Sequence, residues 1–502
     1  MSCLCWDVLI VLAVIFLAVW LYFQYSYQYW ASKGVPYLPP KFPYGNNNRI
    51  FLKSTAFASE AKDWYDAFKK QGHKFGGVWS FSRKVLVLVD PEYIKDILTK
   101  DFQFFIDRDV FSNEKYDPKG THLFNISESG WKPLRQKLTP TFTSGKMKMM
   151  FGTVLGCSNF MIDFMKKSTS SGLDIDIREV LASFTTDVIS TVAFGVESNS
   201  FDDSLNDIRR YGRTLFQKLT PGLALRVFLG RSFPELAKKL ATKGMRQETQ
   251  DFFEMIVKST IDYRRKNNVS RPDFLQLLMD MNQEPQNSDK YVSFDQIVAN
   301  TVLFFIAGFD TSSTTMTFTL YELARNQQLQ EKTRTEIVKV LKKYDGQITY
   351  DSLREMVYLQ QVVDEAMRIW PPLVSLGRIC TKDYTLRDTD VTIEKGTAVV
   401  ISTLGIGRDP EYFPDPEKFD PERFSSENKA KLHPYVHLPF GEGPRNCIGL
   451  RFGLMQSKIG IIRILTNFRL TISPKTKMPL TVDPTFFLLK SNETLYLRAE
   501  KL

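Results

Sequence analysis

The residues best suited to chemistry lie in one short segment, Phe440-Gly-Glu-Gly-Pro-Arg-Asn-Cys-Ile-Gly449, which contains Cys447. A cysteine thiolate that binds a metal in an apolar site needs backbone N–H groups directed at its sulfur, because they stabilise its charge. The two glycines before the cysteine permit such a turn, and Phe440 can exclude water from beneath the sulfur. Gly449 lets the next helix approach a flat cofactor, and Arg445 suits an anionic cofactor edge. A buried structural cysteine in a glycine turn is the plainer alternative.

Other catalytic patterns are excluded or weak. A dinucleotide-binding interpretation of Gly441-x-Gly443 fails, because the third glycine position is Asn446 and no strand–helix unit surrounds it. The sequence contains no P-loop, no H-E-x-x-H and no G-x-S-x-G motif.

Three further groups of polar residues lie on predicted helices. Glu365 and Arg368 are three residues apart and share a face, an arrangement that alone is usually a solvated ion pair. The run Ala307-Gly-Phe-Asp-Thr311 interrupts an apolar helix with a glycine and an acid–hydroxyl pair. Hydroxyls in such helices commonly bond back to the preceding turn. Trp131 and Arg135 are four residues apart at the start of another helix.

Taken in order, these segments resemble the cytochrome P-450 superfamily, the haem-thiolate monooxygenases. The cysteine segment matches F-x-x-G-x-R-x-C-x-G at all five fixed positions, and W-x-x-x-R, A-G-x-D-T, E-x-x-R and P-E-R-F precede it. The resemblance covers nearly the whole chain. The expected N-terminal anchor of this chain places it with the microsomal class of the superfamily. It implies haem b (iron protoporphyrin IX) with the Cys447 thiolate as axial ligand.

The resemblance also implies a role for each motif. Asp310 and Thr311 would be catalytic: Thr311 would hydrogen-bond the bound oxygen ligand, and Asp310 would help to deliver protons. The residues expected to bind the cofactor are Trp131, Arg135, Ala307, Gly308, Thr311, Arg378, Phe440, Arg445, Cys447 and Gly449. Arg108 is a further candidate for the acidic edge of the haem. Glu365, Arg368 and Arg423 would form a buried structural charge network.

The substrate pocket implied by family position is apolar and aromatic, which suggests a lipophilic substrate. Each of its residues taken singly could equally be ordinary core. They are Phe304, Phe305, Val374 to Leu376, Phe486, Phe487 and part of the loop 101–130.

The N-terminus reads as a membrane anchor. The run from Val8 to Phe23 carries no charge, and with the aromatic stretch that follows it reaches the ~20 residues that span a bilayer. A cleaved signal peptide is the alternative, but a basic n-region and a convincing cleavage site are missing. Asp7 precedes the run while Lys33 and Lys41 follow it, so we expect the body to face the cytosol.

Four prolines between residues 36 and 43 follow the anchor and favour a stiff, extended hinge. We therefore expect an anchor over 1–30, a hinge over 31–45 and a catalytic domain over 46–502. With the resemblance, this arrangement predicts a single-anchor protein of the endoplasmic reticulum membrane.

The body is predicted to be mainly α with small segregated β-sheets (α+β), in agreement with the implied P-450 fold with a long central helix. Ser293-Phe-Asp-Gln296 is a capping box, and the residues after it predict a helix of about thirty residues through the middle of the domain. Further helices are expected near 62–76, 327–344 and 351–370. A hairpin is expected around Lys84, and short strands are expected in TLRDTDVTI, GTAVVIS and TLYLR.

Composition limits the partners. Lys and Arg number 66 against 56 Asp and Glu, and the excess of 10 is spread along the chain, which suits a membrane surface or an acidic partner better than nucleic acid. The five cysteines are too scattered for a disulfide framework. Lys132, Lys137, Lys146 and Lys148 are by default a solvated face. In a haem-thiolate enzyme they would lie where an acidic reductase docks.

The implied function is NADPH- and dioxygen-dependent insertion of one oxygen atom into lipophilic small molecules. Electrons would come through NADPH–cytochrome P-450 reductase, with cytochrome b5 as a further candidate partner. The segments LGRICTKDYTL and FIDRD resemble the insect branch that metabolises xenobiotics such as insecticides or plant toxins, and endogenous lipophiles are the other substrate class. A haem-thiolate isomerase or dehydratase that does not use dioxygen is an alternative, although the Asp310–Thr311 pair argues against it. A non-catalytic haem or lipophile carrier is another.

Overall fold

Among the residues that the structure describes, helices predominate and three small sheets lie apart from one another. The structure, a computed structural model, describes residues 2–47, 57–202, 207–215, 226, 228–230, 232–240, 243, 245–483, 486 and 488–502. This segregation of helices and sheets confirms the expected α+β class.

The helices described are numbered in chain order. They are α1 (Ser2–Ser26), α2 (Tyr29–Ser32), α3 (Phe57–Lys70), α4 (Pro91–Lys95), α5 (Glu128–Leu138), α6 (Ser144–Ser170), α7 (Ile177–Ile189), α8 (Asp207–Leu215), α9 (Pro234–Lys239), α10 (Gln247–Asn267), α11 (Phe274–Asn282), α12 (Phe294–Arg325), α13 (Gln327–Lys342), α14 (Ser352–Glu355), α15 (Val357–Ile369), α16 (Thr403–Ile406), α17 (Ser426–Lys429) and α18 (Leu450–Asn467). Short π-helical turns lie at Asp96–Lys100 and Ser190–Phe194, and 3-10 turns at Phe102–Phe104, Pro118–Gly120, Thr139–Phe142 and Pro421–Phe424.

The strands form sheets of four, three and two members. They are β1 (Phe75–Ser80), β2 (Arg83–Leu88), β3 (Ile175–Asp176), β4 (Ser375–Ile379), β5 (Tyr384–Thr385), β6 (Thr392–Ile393), β7 (Ala398–Ser402), β8 (Phe468–Ile472) and β9 (Tyr496–Lys501). The largest sheet has the order β1-β2-β7-β4, with β2 and β7 parallel and the outer pairs antiparallel. The expected hairpin around Lys84 is therefore present as β1 and β2.

The long central helix α12 is present as expected, with 32 residues. Its capping box is formed, because the Ser293 hydroxyl accepts from the Gln296 N–H at 3.3 Å and the Gln296 side chain accepts from the Ser293 N–H at 3.2 Å. Helices α7, α15 and α18 pack around α12. Although α12 is long and apolar enough to cross a membrane, it is mostly buried and forms the core.

Three local predictions are wrong in detail. The helix expected near 62–76 is α3, which ends at Lys70; the chain turns at Gly72, where φ is +73°, and Phe75 begins a strand. The helix expected over 351–370 divides into α14 and α15, because the Met356 backbone leaves the helical conformation (φ −81°, ψ 80°). The run TLRDTDVTI is not one strand: β5 and β6 have two residues each and pair with each other.

The N-terminal helix α1 is exposed over most of its length, and the segment Trp6–Ser32 is long and apolar enough to cross a membrane. The C-terminal end of this segment packs against the rest of the protein. Phe23 and Trp30 are buried, and the Trp30 indole donates to the Val78 carbonyl at 3.1 Å. The proline-rich segment therefore begins from a fixed point on the four-stranded sheet, while the division into anchor, hinge and catalytic domain stays a prediction.

Candidate active site

The loop that carries Cys447 is shaped by two glycines. Gly441 and Gly443 have φ of +67° and +77°, and a Cβ on Gly443 would lie 1.9 Å from the Leu98 carbonyl oxygen. Only glycine fits this second position. The Cys447 N–H donates to the Phe440 carbonyl at 2.9 Å, which closes the loop just before α18 begins.

The Cys447 thiol is accessible although it lies deep in the protein, which implies an internal space beside it. Burial raises the pKa of this thiol. The Gly449 N–H, which is directed at the sulfur, and the charges of Arg108 and Arg135 act in the opposite direction on this pKa. The expected N–H donor to the sulfur is therefore present. Burial thus disfavours a bare thiolate here, and a bound metal cation would stabilise it.

Helix α12 exposes one strip of surface within its buried length. Between Ile297 and Ala324, Ala307 is exposed and Ile306, Gly308 and Thr311 are partly exposed, while the other residues are buried. We call these four residues the α12 strip. Helix α18 packs on α12 near this strip, because a Cβ on Gly453 would lie 3.9 Å from the Ser312 hydroxyl and 4.0 Å from the Phe440 ring. The strip and the cysteine loop therefore meet through α18.

The two residues of the acid–hydroxyl pair on α12, Thr311 and Asp310, have different surroundings. The Thr311 hydroxyl donates to the Ala307 carbonyl at 2.5 Å, which is the local bond that a threonine in a helix commonly makes. Asp310 is buried, and burial raises the pKa of its carboxyl, while the charge of Arg178 on α7 partly offsets the effect. Asp310 thus holds its proton to higher pH than an exposed aspartate does.

Four arginines converge on the cysteine loop, and we call Arg108, Arg135, Arg378 and Arg445 the arginine cluster. Arg135 donates to the backbone and side-chain oxygens of Asn446, both at 2.9 Å. Arg108 donates to the Arg445 carbonyl at 2.7 Å. Three of the cluster were expected cofactor residues, while Arg108 was only a further candidate.

Trp131, another expected cofactor residue, lies against the same cluster. Its ring centroid is 4.6 Å from the Arg445 guanidinium, and Arg445 donates to the Ile126 carbonyl at 2.9 Å. The cation is thus held between the start of α5 and the cysteine loop. Asn446 was missed by sequence reasoning, and its place between Arg445 and Cys447 was the one signal that could have identified it.

The arginine cluster concentrates positive charge in the interior. Burial, together with the charges of neighbouring arginines, lowers the pKa of Arg445 to about 9. Burial alone lowers the pKa of Arg378 to about 10. The described residues show one ion pair to the cluster, Arg445–Asp107 at 3.6 Å. The Nε atoms of Arg378 and Arg445 are buried without a hydrogen-bond partner among the described residues. This donor set fits the two propionates of haem, which would supply the missing negative charge.

The predicted structural charge network of Glu365, Arg368 and Arg423 is assembled. Glu365 and Arg368 are completely buried and form a two-point ion pair at 2.7 and 2.8 Å. The Nε of Arg423 lies 3.4 Å from the Glu365 carboxylate. Arg368 also donates to the Gly407 carbonyl, at 2.7 Å, and so ties α15 to the loop after α16.

The residues proposed to line the substrate pocket differ in their surroundings. Phe304 and Phe305 are buried among other aromatic rings, which is the ordinary core alternative. Val374 is buried, and Leu376 lies against Gly441 of the cysteine loop. Phe487 lies outside the described residues.

The basic residues near the site differ in availability. Lys132 and Lys148 are exposed, and Lys148 pairs with Asp351 at 3.1 Å. Lys137 is half-buried and donates to the Tyr291 carbonyl at 2.6 Å, so it is committed within the protein. Lys137 is therefore a weaker docking residue than the sequence suggested.

Comparison with known proteins agrees with this geometry. The family model for cytochrome P450 matches residues 43–498. "Probable cytochrome P450 6a20" of Drosophila melanogaster is 42% identical over 500 residues, which cover 99% of each chain. "Cytochrome P450 6k1" of Blattella germanica is 38% identical over 501 residues, which cover 96% of this chain and 94% of the relative. The chain therefore belongs to the cytochrome P450 family of haem-thiolate monooxygenases.

Proposed function

We propose that this protein oxidises lipophilic small molecules in the endoplasmic reticulum membrane, with electrons from NADPH delivered by a separate reductase. The balanced reaction is RH + O₂ + NADPH + H⁺ → ROH + H₂O + NADP⁺. The insect relatives favour xenobiotics such as insecticides or plant toxins as substrates, with endogenous lipophiles as the other class. The Asp310–Thr311 pair favours this reaction over a dioxygen-independent rearrangement.

The observation that carries the proposal is an accessible Cys447 thiol deep in the protein, near the exposed α12 strip. A deep thiol that is nonetheless accessible, next to four arginines of which Arg378 and Arg445 are buried, matches a flat dianionic cofactor whose metal would bind the sulfur. When bound, haem would supply the binding and activation of dioxygen.

Each residue of the site has a role in this proposal. The arginine cluster and Trp131 would hold the propionates, Phe440 would shield the sulfur, and the Gly449 N–H would stabilise its charge. Ala307 and Gly308 leave room for a cofactor next to the α12 strip, because neither has a side chain larger than a methyl group. The Thr311 hydroxyl would turn from the Ala307 carbonyl to donate into the space, and Asp310 would renew its proton.

The membrane and the redox partners follow from the exposed surfaces. Helix α1 would anchor the chain, and the body would face the cytosol. Lys132 and Lys148 would contact an acidic face of NADPH–cytochrome P-450 reductase, with cytochrome b5 as a second candidate partner.

The first test is the carbon monoxide difference spectrum of the reduced full-length protein, beside that of C447S. We expect the strongly red-shifted Soret band of thiolate-ligated haem in the wild type and its absence in C447S. Turnover of a lipophilic substrate with reductase and NADPH follows. A native protein without this band contradicts Cys447 ligation. The band with turnover that needs no NADPH would indicate an isomerase or dehydratase, and the band with no turnover would indicate a carrier.

A further inference from the structure

A fully buried glutamine joins the two sides of the site. Gln456 lies on α18, and its Nε2 is 3.4 Å from the carbonyl oxygen of Gly308 in the α12 strip. Its Oε1 is buried and has no hydrogen-bond partner among the described residues. A buried amide that is only half bonded is less favourable than an apolar side chain of the same shape, so packing alone does not explain this residue.

Gly308 is held from both sides. A Cβ at this position would lie 2.7 Å from Ile189 Cδ1, so α7 covers one side of the residue. Gln456 approaches the carbonyl from α18. The Gly308 carbonyl therefore lies at a fixed contact among three helices.

The Gly308 carbonyl is also one of two natural acceptors for Thr311. A threonine hydroxyl in a helix bonds to the carbonyl three or four residues earlier, which here means Gly308 or Ala307. A carbonyl oxygen has two lone pairs, and in an α-helix the Gly308 oxygen already accepts the N–H four residues later. With Gln456 at its second lone pair, the hydroxyl is left with Ala307, which is the bond observed.

We propose that Gln456 is a positioning residue that sets the orientation of the Thr311 hydroxyl by occupying the Gly308 carbonyl. The inference rests on the proposed function, in which Thr311 donates into the space above the cysteine loop. Without Gln456, the freed Gly308 carbonyl competes for the hydroxyl, so more electrons leave as hydrogen peroxide (O₂ + 2e⁻ + 2H⁺ → H₂O₂) and fewer reach product.

The experiment compares three full-length variants with wild type. Q456L removes the amide and keeps the volume. Q456E keeps a donor, because burial holds the introduced carboxyl protonated and its O–H replaces the amide N–H. Q330L is the matched control: Gln330, near the start of α13, is also buried, but its amide is fully engaged with Leu470 and with Leu323 near the C-terminal end of α12.

Two readouts separate positioning from folding. The first is the ratio of product to hydrogen peroxide per NADPH. The second is the infrared C–O stretch of the reduced carbon monoxide complex, which senses hydrogen-bond donors facing the ligand and needs no turnover. Thermal unfolding is recorded for every variant.

We expect Q456L to lower the ratio of product to peroxide about fivefold, the effect of one ordinary hydrogen bond, and to shift the C–O band. Q456E should stay close to wild type, and Q330L should unfold at lower temperature with an unchanged ratio and band. An unchanged ratio and band in Q456L would overturn the inference, as would a Q456E variant as impaired as Q456L. If the wild type itself fails to turn over, the proposed function fails, while the C–O band still tests the hydrogen bond.

Discussion

Replacing Arg368 by leucine removes one half of a completely buried ion pair. The guanidinium makes two charge-assisted bonds to Glu365, at 2.7 and 2.8 Å, and donates to the carbonyls of Gly407 and Pro416 at 2.7 and 2.8 Å. Both side chains of the pair are 0% exposed. In R368L the Glu365 carboxylate loses its principal counter-ion in a place that water does not reach, while the leucine fills most of the volume.

The expected cost is about 3–5 kcal/mol of the free energy of unfolding, the range for breaking a buried pair from one side. A domain is stable by only about 5–15 kcal/mol, so the holoprotein yield should fall sharply. The loss depends on pH. In the wild type, burial raises the pKa of Glu365, and the charge of Arg368 partly offsets this effect. The R368L substitution removes the offset and so raises the pKa of Glu365 further. The folded state then binds more protons than the unfolded chain, and stability falls as pH rises. R368L should therefore be less impaired at pH 5.5 than at pH 8.

Chemical denaturation at these two pH values, with haem content from absorbance, checks the reasoning. The control is K332A, which breaks the exposed Lys332–Glu422 pair (56% and 50% exposed) and should cost about 0–1 kcal/mol. The double variant E365L/R368L should recover part of the loss, since the buried carboxylate is removed with its counter-ion and only the partly exposed Arg423 keeps its charge. An R368L protein as stable as K332A, or one less impaired at the higher pH, would refute the account.

Three further predictions concern the cofactor, the N-terminal junction and the proton donor. R445L should lower the haem content, because a buried cation of the arginine cluster is lost, while R451L, at an exposed arginine, should not; absorbance of the purified proteins decides. W30A should cost about 3–5 kcal/mol in chemical denaturation, and Y25A, at a 79% exposed position, almost nothing. D310N should slow turnover about 10²-fold. The stability of D310N at pH 7 should nevertheless exceed that of the wild type. A carboxyl whose pKa is raised by folding makes the folded protein less stable as pH rises, and the asparagine does not titrate. Denaturation at pH 5 and 7 tests the sign.

Several elements could be predicted because their causes are local. The capping box at Ser293 and the absence of proline after it define the start and length of α12. The glycines of the cysteine loop adopt positive φ, as the turn requires. The hairpin of β1 and β2 follows from alternating β-branched residues.

Other features could not be predicted because they depend on residues far apart in the chain. Arg108 was an ordinary loop arginine until the fold placed it on the carbonyl of Arg445, 337 residues later. Lys137 was one of four similar lysines, and only the packing against Tyr291 commits it. The aromatic residues Phe304 and Phe305 had the composition of a pocket, yet neighbouring rings enclose them.

The sequence by itself determined the family, the thiol that faces the cofactor and the helix that crosses the core. These depend on short spacings, which backbone geometry converts directly into turns, caps and helix faces. Only the tertiary structure decided which cations are buried together, which carbonyl Thr311 uses and how Gln456 contacts Gly308. The reason is physical: burial, and the charge and hydrogen-bond competition that it strengthens, depend on everything that packs around a group.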